Sequence, residues 1–294
     1  MTMLVGTPLD NKYTITEVIG ESGFANIYRA KHELQDKVFV IKEYCPKQLC
    51  RRLEDGRLCA LVNDQYSQEL FDQGLRKFAS QARSSMRFEH PNLFHVREYF
   101  TSNNTGYSVM PDVKTFSLAS FLKKNQSLNA TQANALLQDV IEALKYVHAI
   151  NDEMLMVNIS PDTILLNVEN GQAVLHCECR TLNTFSDCPP SISHYTAVEL
   201  GMYGALDLVG CHSDIYSVAS TFYHCLTGQR PLHASERLLK NEEVCLEKTL
   251  AAQFDQRLLK LIDLGLILRP EKRPRDVAQL LALSGFKNPT LFSS

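Results

Sequence analysis

The spacing of apolar residues changes along the chain, from alternation near the start to helical periodicity further on. Between residues 13 and 42, three short runs alternate apolar and polar positions and are separated by turns, a pattern typical of antiparallel strands. Two further runs of this kind cover residues 96–100 and 107–110. The sequence therefore predicts a β-rich unit at the beginning of the chain.

Helical spacing begins after these first strands. Apolar residues recur every three or four positions over residues 74–88, and again on one face of residues 131–150, so both segments are predicted to be amphipathic helices. A third helix is predicted from residue 213, and Gly228 is a typical stop signal for its end. Residues 43–73 are polar and show no period, which predicts an irregular segment.

A short hairpin is predicted in the middle of the chain, within residues 154–180, MLMVNISPDTILLNVENGQAVLHCECR. Two apolar runs, residues 164–166 and 173–175, lie on either side of Glu169-Asn170-Gly171. An Asn-Gly pair supplies the two positive φ angles that a tight reversal needs. The polar stretch Ser160-Pro161-Asp162 is predicted to form a loop ahead of the hairpin.

Composition and charge are those of an ordinary globular protein. Of the 294 residues, 45% are hydrophobic and 21% are charged, which is enough to bury a large core. The formal net charge of −3 gives no indication of a nucleic-acid partner or an anionic membrane. No secretory leader precedes residue 13, and no window approaches the ~18 apolar residues that span a bilayer. We therefore expect a cytoplasmic protein.

The cysteines give no sign of a disulfide framework. Nine of them are scattered along the chain, which indicates reduced thiols. His176-Cys177-Glu178-Cys179 leaves metal binding open as an alternative. On a strand, however, Cys177 and Cys179 share one face, and no second ligand pair follows at a spacing typical of zinc sites. We expect no metal site.

The loop and hairpin resemble the catalytic loop and metal-binding strand of protein kinases, H-R-D-x-K-P-x-N-I-L-L followed by D-F-G. On this pattern Asn158 stands for the catalytic aspartate, Ser160 for the lysine and Thr163 for the asparagine. Cys177 replaces the aspartate of D-F-G. Within this loop and hairpin, each residue that the family uses for phosphoryl transfer is exchanged.

Further resemblances lie in the second half of the chain. Residues 213–231 are similar to kinase helix F, Ala197-Val198-Glu199 is similar to A-P-E, and LRPEKRP at residues 268–274 is similar to the family's ending. In the family, Glu199 and Arg273 form a buried ion pair. The family's aspartate at the position of Asp214 accepts backbone amides of the catalytic loop, and the resemblance implies the same role here.

The resemblance covers roughly residues 13 to 285 and is specific to bacterial Ser/Thr kinases of the eukaryotic-like type. It implies an α+β, bilobal, protein-kinase-like fold. A small β-rich N-lobe with helix C would occupy residues 1–113, with an insert at about 45–73. A larger, mainly helical C-lobe would occupy residues 114–294.

The resemblance also implies a nucleotide pocket. Gly20, Ser22 and Gly23 would form the glycine-rich loop, Lys42 would contact phosphates, and Gln81 replaces the glutamate that clamps this lysine. The remaining pocket positions are the adenine-facing Ile27, Val40 and Leu165 and the hinge residues Met110, Pro111 and Val113. The Pro111 carbonyl and the Val113 amide would hydrogen-bond to adenine. We expect any ATP or ADP binding to be weak and nearly independent of Mg²⁺, and no cofactor to be required.

These substitutions predict a pseudokinase that acts as a cytoplasmic binding, scaffold or allosteric module for a protein partner. Magnesium prefers hard oxygen ligands, and phosphoryl transfer depends on metal-borne charge neutralisation. One alternative is an atypical transferase, for example a nucleotidyl transferase, that uses Lys42, Glu178 or Asp112. The other is a weakly active Ser/Thr kinase.

Two irregular segments are candidate partner surfaces, although both could be solvated connectors. One is residues 180–195. The other is the insert, which combines basic residues with leucines; these are Lys47, Arg51, Arg52, Arg57, Leu49, Leu53, Leu58 and Leu61. The insert is the favoured surface. Charge reversal at Arg51 and Arg52 is then predicted to weaken partner capture without changing the melting temperature.

Overall fold

A computed structural model of the chain describes residues 2–61, 65–150, 154–176, 178–181, 192–202 and 206–286, with backbone alone at 178, 180 and 206. Cys177 and most of the segment 180–195 lie outside these ranges. The chain divides into two compact units. The N-terminal unit contains Met1–Glu89 and Phe94–Val113, and the C-terminal unit contains His90–Leu93 and Lys114–Ser294. The main division therefore falls after Val113.

The N-terminal unit is a sheet with one long helix. Its strands are β1 Pro8–Leu9, β2 Tyr13–Glu21, β3 Ala25–His32, β4 Val38–Tyr44, β5 Cys50–Arg52, β6 Leu58–Ala60, β7 Glu98–Ser102 and β8 Thr105–Pro111, and its helix is α1 Gln65–Ser85. Six strands form an antiparallel sheet in the order β1-β2-β3-β4-β8-β7. The five strands predicted from alternation are confirmed.

One face of this sheet carries the apolar core of the unit. Because side chains alternate along a strand, Tyr28, Ile41 and Tyr107 point to the same face, and all three are fully buried. They pack with residues such as Tyr13 and Phe39 in a single cluster. The opposite face is therefore free to carry the polar and partly exposed residues of a site.

The predicted limits of the insert and of the first helix are wrong. The segment 45–73 contains the hairpin β5–β6, and α1 begins at Gln65 instead of residue 74. Gly74 lies inside the helix, where a Cβ atom would lie 2.0 Å from the Tyr44 hydroxyl oxygen. Close packing against Tyr44 therefore accounts for the glycine, which the sequence suggested as a helix boundary.

The C-terminal unit is mainly helical. Its helices are α2 Leu118–Asn125, α3 Ala130–Ile150, α4 Cys211–Thr227, α5 Ala234–Lys240, α6 Leu246–Thr249, α7 Gln256–Gly265 and α8 Val277–Ser284, and its strands are β9 Thr115–Ser117, β10 Met154–Val157, β11 Ile164–Asn167, β12 Ala173–Leu175 and β13 Glu178–Thr181. The α+β, two-lobed kinase fold is confirmed. Among the described residues, no helix is both long and apolar enough to cross a bilayer.

Helix α4 forms the centre of this unit. Most of its residues are buried, and Gly228 ends it in the left-handed conformation at φ 70°. The helix lies so close to α7 that a Cβ atom on Gly265 would lie 2.6 Å from the Cβ of Ala219. The predicted helices at 131–150 and from 213 are both confirmed.

The hairpin β11–β12 is confirmed, but its turn differs from the prediction. Gly171 has a φ of 72°, whereas Asn170 is not among the residues with positive φ. Asn167 and Gln172 close the reversal with a hydrogen bond of 2.9 Å, so the connection has four residues. In a turn of this length a single left-handed residue is sufficient.

Candidate functional site

The strand register of the N-terminal unit brings four predicted pocket residues onto one sheet face. Ile27 lies opposite Lys42, and Val40 lies opposite Met110. Paired residues on neighbouring strands share a face, and this face is the one turned away from the apolar core. Lys42 is also paired with Ser108. The structure therefore provides the expected neighbours of the nucleotide-facing lysine.

Two of these residues also serve as packing residues. Met110 is only 4% exposed and packs with Val40 and Ala82 in a small apolar cluster. Next to Ala82, the Nε2 atom of Gln81 is buried and has no hydrogen-bond partner in the described part of the chain. Burying an unpaired amide donor is costly. Gln81, which replaces the family's glutamate, thus keeps a buried hydrogen-bond donor without an acceptor among the described residues.

The glycine-rich loop is closed on itself by Ser22. The backbone amides of Phe24 and Ala25 donate to the Ser22 Oγ over 3.3 and 3.0 Å. The carbonyls of Gly23 and Phe24 accept the amides of Lys47 and Cys45, both at 2.9 Å. Amides that could otherwise cover a phosphate are therefore already bonded. A Cβ atom added at Gly23 would have no neighbouring atom within 4 Å, so packing does not require glycine at this position.

Replacing Ser22 by glycine is expected to tighten nucleotide binding several-fold, because it frees the amides of Phe24 and Ala25. Isothermal titration with ADP measures this change. Ser193→Gly is the matched control, since Ser193 caps a similar turn in the C-terminal unit and bonds to Thr196. Unchanged or weaker binding by the Ser22 variant would contradict the role given to its hydroxyl.

The two hinge groups expected to bind adenine are bonded to each other. The Val113 amide donates to the Pro111 carbonyl over 3.0 Å. Between them, Asp112 is held by the Arg29 guanidinium at 2.8 Å. The Val113 amide is therefore already engaged within the chain, whereas the Pro111 carbonyl keeps a second lone pair that a ligand can use. Adenine would have to break the internal bond to use the amide of Val113.

The degenerate catalytic loop is held by its own polar groups. Asn158 has a φ of 66°, a left-handed conformation that asparagine tolerates better than most residues. The Thr163 hydroxyl donates to the Asn158 carbonyl at 2.7 Å and accepts the Ser160 amide at 3.0 Å. The side chain at the family's asparagine position thus closes the loop. Leu165, the next predicted pocket residue, is half-buried on β11 between β12 and β9.

The residues present do not fit the magnesium site that the fold family implies. The Thr163 hydroxyl is already bonded to the Asn158 carbonyl and the Ser160 amide, and a neutral hydroxyl is a weaker magnesium ligand than a carboxylate. Within the described ranges, no group of three or more His, Cys, Asp or Glu residues could hold a metal ion. Cys177, the other exchanged ligand position, lies outside these ranges.

Asp214 supports the strand ahead of the loop, as the resemblance implies. Its Oδ2 atom accepts the Met156 amide at 2.7 Å and lies 2.9 Å from His148 Nε2 on α3. One residue after Asn158, the Ile159 carbonyl accepts the Thr221 hydroxyl from α4 at 3.4 Å. The loop is therefore fixed from both helices. His148 was not predicted as part of this support, because a histidine near a helix end gives no specific signal.

The contact between His148 and Asp214 makes stability depend on pH. Burial alone would lower the pKa of the His148 imidazole, but hydrogen bonds to Asp214 and Cys211 and the carboxylate charge raise it to about 9. Burial also raises the pKa of the Asp214 carboxyl. The protonated His148 imidazole and the Asp214 carboxylate thus each stabilise the charged form of the other.

We expect the stabilisation from protonated His148 to be complete below pH about 6.5 and to be lost as the pH rises through about 9. The loss should be on the order of 2 kcal/mol. Urea unfolding at pH 6.5 and 9.5 measures it, with His148→Asn as the comparison. An equal fall in stability in the variant would contradict the assignment, since other titrating groups are common to both proteins.

The predicted buried ion pair is present in the C-terminal unit. Arg273 Nη1 lies 2.7 Å from Glu199 Oε1, and both side chains are fully buried. Ser213 also donates to this oxygen at 2.7 Å. The remaining Arg273 donors bond to the carbonyls of His212, Ile267 and Leu268. All charge in this cluster is therefore compensated.

The insert arginines are mostly engaged, which corrects the predicted partner surface. Arg52, whose side chain is 10% exposed, lies 2.5 Å from the fully buried Glu43, and its Nη1 donates to the Gly56 carbonyl. Glu43 also accepts hydrogen bonds from Asn26, Tyr28 and Tyr107. The prediction that charge reversal at Arg52 leaves stability unchanged is wrong, because this arginine neutralises a buried carboxylate.

Comparisons with known proteins agree with this geometry. The sequence profile described as the protein kinase domain matches residues 13–283. The chain belongs to the protein kinase domain family. Its curated relatives include the serine/threonine-protein kinase PrkC of Bacillus subtilis, 23% identical over 78% of this chain and 32% of the relative, and PknA of Nostoc, 24% identical over 85% and 44%. The chain thus spans less than half the length of these kinases.

Solved structures give the same family fold. The apo form of PpkA-294 has a TM-score of 0.82 at 24% identity, and the match covers 96% of this chain and 99% of that one. The kinase domain of PknI from Mycobacterium tuberculosis has a TM-score of 0.65 at 17% identity, over 97% and 99% of the two chains. At these identities the likeness establishes the fold of this kinase domain and does not carry over an activity.

Proposed function

We propose that this kinase domain is a catalytically inactive, cytoplasmic binding or allosteric module for a protein partner. The observation that carries the proposal is the internal closure of the degenerate loop, in which Thr163 bonds to the Asn158 carbonyl and the Ser160 amide. An asparagine side chain at 158 cannot accept a proton as a carboxylate does. The structural contacts of Asp214, Glu199 and Arg273 support a stably folded scaffold for such a module.

Nucleotide is, in this proposal, a weak and optional ligand. Lys42 lies on the sheet face with Ile27 and Val40, which favours contact with a nucleotide. The engaged amides of the glycine-rich loop and of Val113 oppose it. Thermal shift with ADP should give a small increase in melting temperature that is the same with and without Mg²⁺. A large magnesium-dependent increase would overturn this part of the proposal.

Labelled ATP tests the absence of catalysis directly. The protein is incubated with general protein substrates and ATP that carries the label on the γ-phosphate or on the α-phosphate. The proposal expects no label on protein in either case. Transfer of the γ-label would show a kinase, and transfer of the α-label would show a nucleotidyl transferase. Lys42→Met is the control that assigns any transfer to this site, because it removes the phosphate-facing cation and leaves the fold intact.

A further inference from the structure

A basic groove runs along the exposed side of helix α1 in the N-terminal unit. It has a volume of about 610 Å³, and its lining includes Leu75, Ala79 and Tyr99 together with Arg76, Arg83 and Arg87. The first three form an apolar floor, and the three arginines are exposed. One acidic residue, Asp72, lies at the end of the groove nearest the start of the helix. The groove therefore combines an apolar surface with an excess of positive charge.

The arginines form one stripe because of their spacing. Positions 76 and 83 are seven residues apart, which places them on the same side of α1. Arg87 follows two residues after the helix ends at Ser85 and lines the same groove. The Arg83 guanidinium lies over the Tyr99 ring, 5.5 Å from its centre. Among the ion pairs within the described ranges, none involves Arg76, Arg83 or Arg87. Their charges are thus available to a partner.

The basic residues of the insert differ in this respect. Arg52 is neutralised by Glu43, Arg57 by Asp55 and Lys47 by Glu21. Of the basic side chains singled out there, Arg51 alone is both exposed and absent from the ion pairs of the described chain. Unsatisfied positive charge is therefore concentrated on α1, not on the insert.

The length of the stripe indicates what could bind. From Arg76 to Ser85, the last residue of α1, the helix rises by about 14 Å, and Arg87 lines the groove beyond that end. This distance is too long for the outer arginines to converge on one phosphate or carboxylate. An extended peptide covers this distance with about five residues. Guanidinium groups pair well with carboxylates, and the apolar floor suits one hydrophobic side chain between them.

We propose that the α1 groove binds an extended acidic peptide segment of a protein partner, with carboxylates on Arg76, Arg83 and Arg87 and an apolar residue against Leu75 and Tyr99. This inference rests on the proposed binding function and names the chemistry of its partner. Each exposed pair contributes little alone, so affinity comes from several charges engaged together. Binding should weaken as the ionic strength increases.

Fluorescence anisotropy with a labelled hexapeptide of five glutamates and one central leucine tests the proposal. The triple variant Arg76→Gln, Arg83→Gln and Arg87→Gln should bind about tenfold more weakly. The matched control removes three other exposed arginines, with Arg51→Gln, Arg257→Gln and Arg275→Gln, and should change affinity less than about twofold. A double variant of Arg76 and Arg87 keeps the Arg83–Tyr99 contact and should lose most of the same affinity with an unchanged melting temperature.

Several outcomes would overturn the groove assignment. Equal losses in both triple variants would indicate attraction by net charge alone, and no loss in the groove variant would place the binding surface elsewhere. Competition by inorganic phosphate or by a Glu-Glu dipeptide at the same concentrations as the hexapeptide would indicate a site for a single anion. None of these binding results bears on the proposed lack of catalysis. Transfer of label from ATP to protein would refute the proposed inactivity, regardless of whether the peptide binds.

Discussion

Replacing Arg273 by methionine is expected to lower the free energy of unfolding by about 3–5 kcal/mol. The loss follows from the carboxylate that remains. Glu199 would stay buried with the Ser213 hydroxyl but without a counter-charge. Three backbone carbonyls, of His212, Ile267 and Leu268, would also lose their donor. Chemical denaturation followed by circular dichroism measures the change.

The control for this experiment is an exposed ion pair in the same unit. Lys240 lies 2.7 Å from Glu236, but both side chains are largely exposed. Lys240→Met should therefore cost less than about 0.5 kcal/mol. If Arg273→Met were as mild as this control, the buried pair would not be what stabilises the C-terminal unit.

Replacing Arg52 by methionine is expected to cost a similar amount, about 3–5 kcal/mol, in the N-terminal unit. Glu43 is fully buried, and its two oxygens accept the hydroxyls of Tyr28 and Tyr107 in addition to Arg52. Without the guanidinium, this carboxylate must either protonate or remain as an unpaired buried charge. Proteolysis of the hairpin β5–β6 should also become faster, because Arg52 connects that hairpin to the sheet.

Arg51→Met is the matched control, since Arg51 is adjacent on β5 but exposed. Its effect on the unfolding free energy should lie within about 0.5 kcal/mol. Equal and small effects of the two substitutions would show that Arg52 is dispensable. In that case the insert would again be a candidate for a free partner surface.

The fold could be predicted because its signals repeat along the chain. The alternation of apolar and polar residues predicts β2, β3 and β4 without knowledge of their neighbours in the fold. The resemblance of the motifs that contain Glu199 and Arg273 to those of the family implies an ion pair between residues 74 positions apart. The exchanged residues Asn158, Ser160 and Thr163 could also be recognised, through the resemblance of this loop to the family's catalytic-loop motif. Nothing in that resemblance showed that Thr163 bonds back to the loop, because the bond depends on the left-handed backbone at Asn158.

The corrections come from residues whose role depends on contacts with distant parts of the chain. An arginine in a polar segment is usually solvated, but Arg52 is largely shielded from solvent because it pairs with Glu43, on a strand of the sheet. The sequence predicts that the Val113 amide is available to a ligand. In the structure, a local turn brings this amide to the Pro111 carbonyl. The local pattern of apolar and polar residues predicts which helices and strands form. The partner of an individual polar group, such as Arg52 or the Val113 amide, is decided by the folded structure.

The contact between Gly74 and Tyr44 restricts how these two positions can change during evolution. Any side chain at 74 would overlap the tyrosine ring, where a Cβ would lie 2.8 Å from Cζ as well as 2.0 Å from the hydroxyl oxygen. Alanine at 74 would otherwise favour the helix by up to about 1 kcal/mol. That gain becomes accessible only after residue 44 has been replaced by a smaller one. The two positions should therefore vary together among homologues, with glycine at 74 wherever tyrosine is retained at 44.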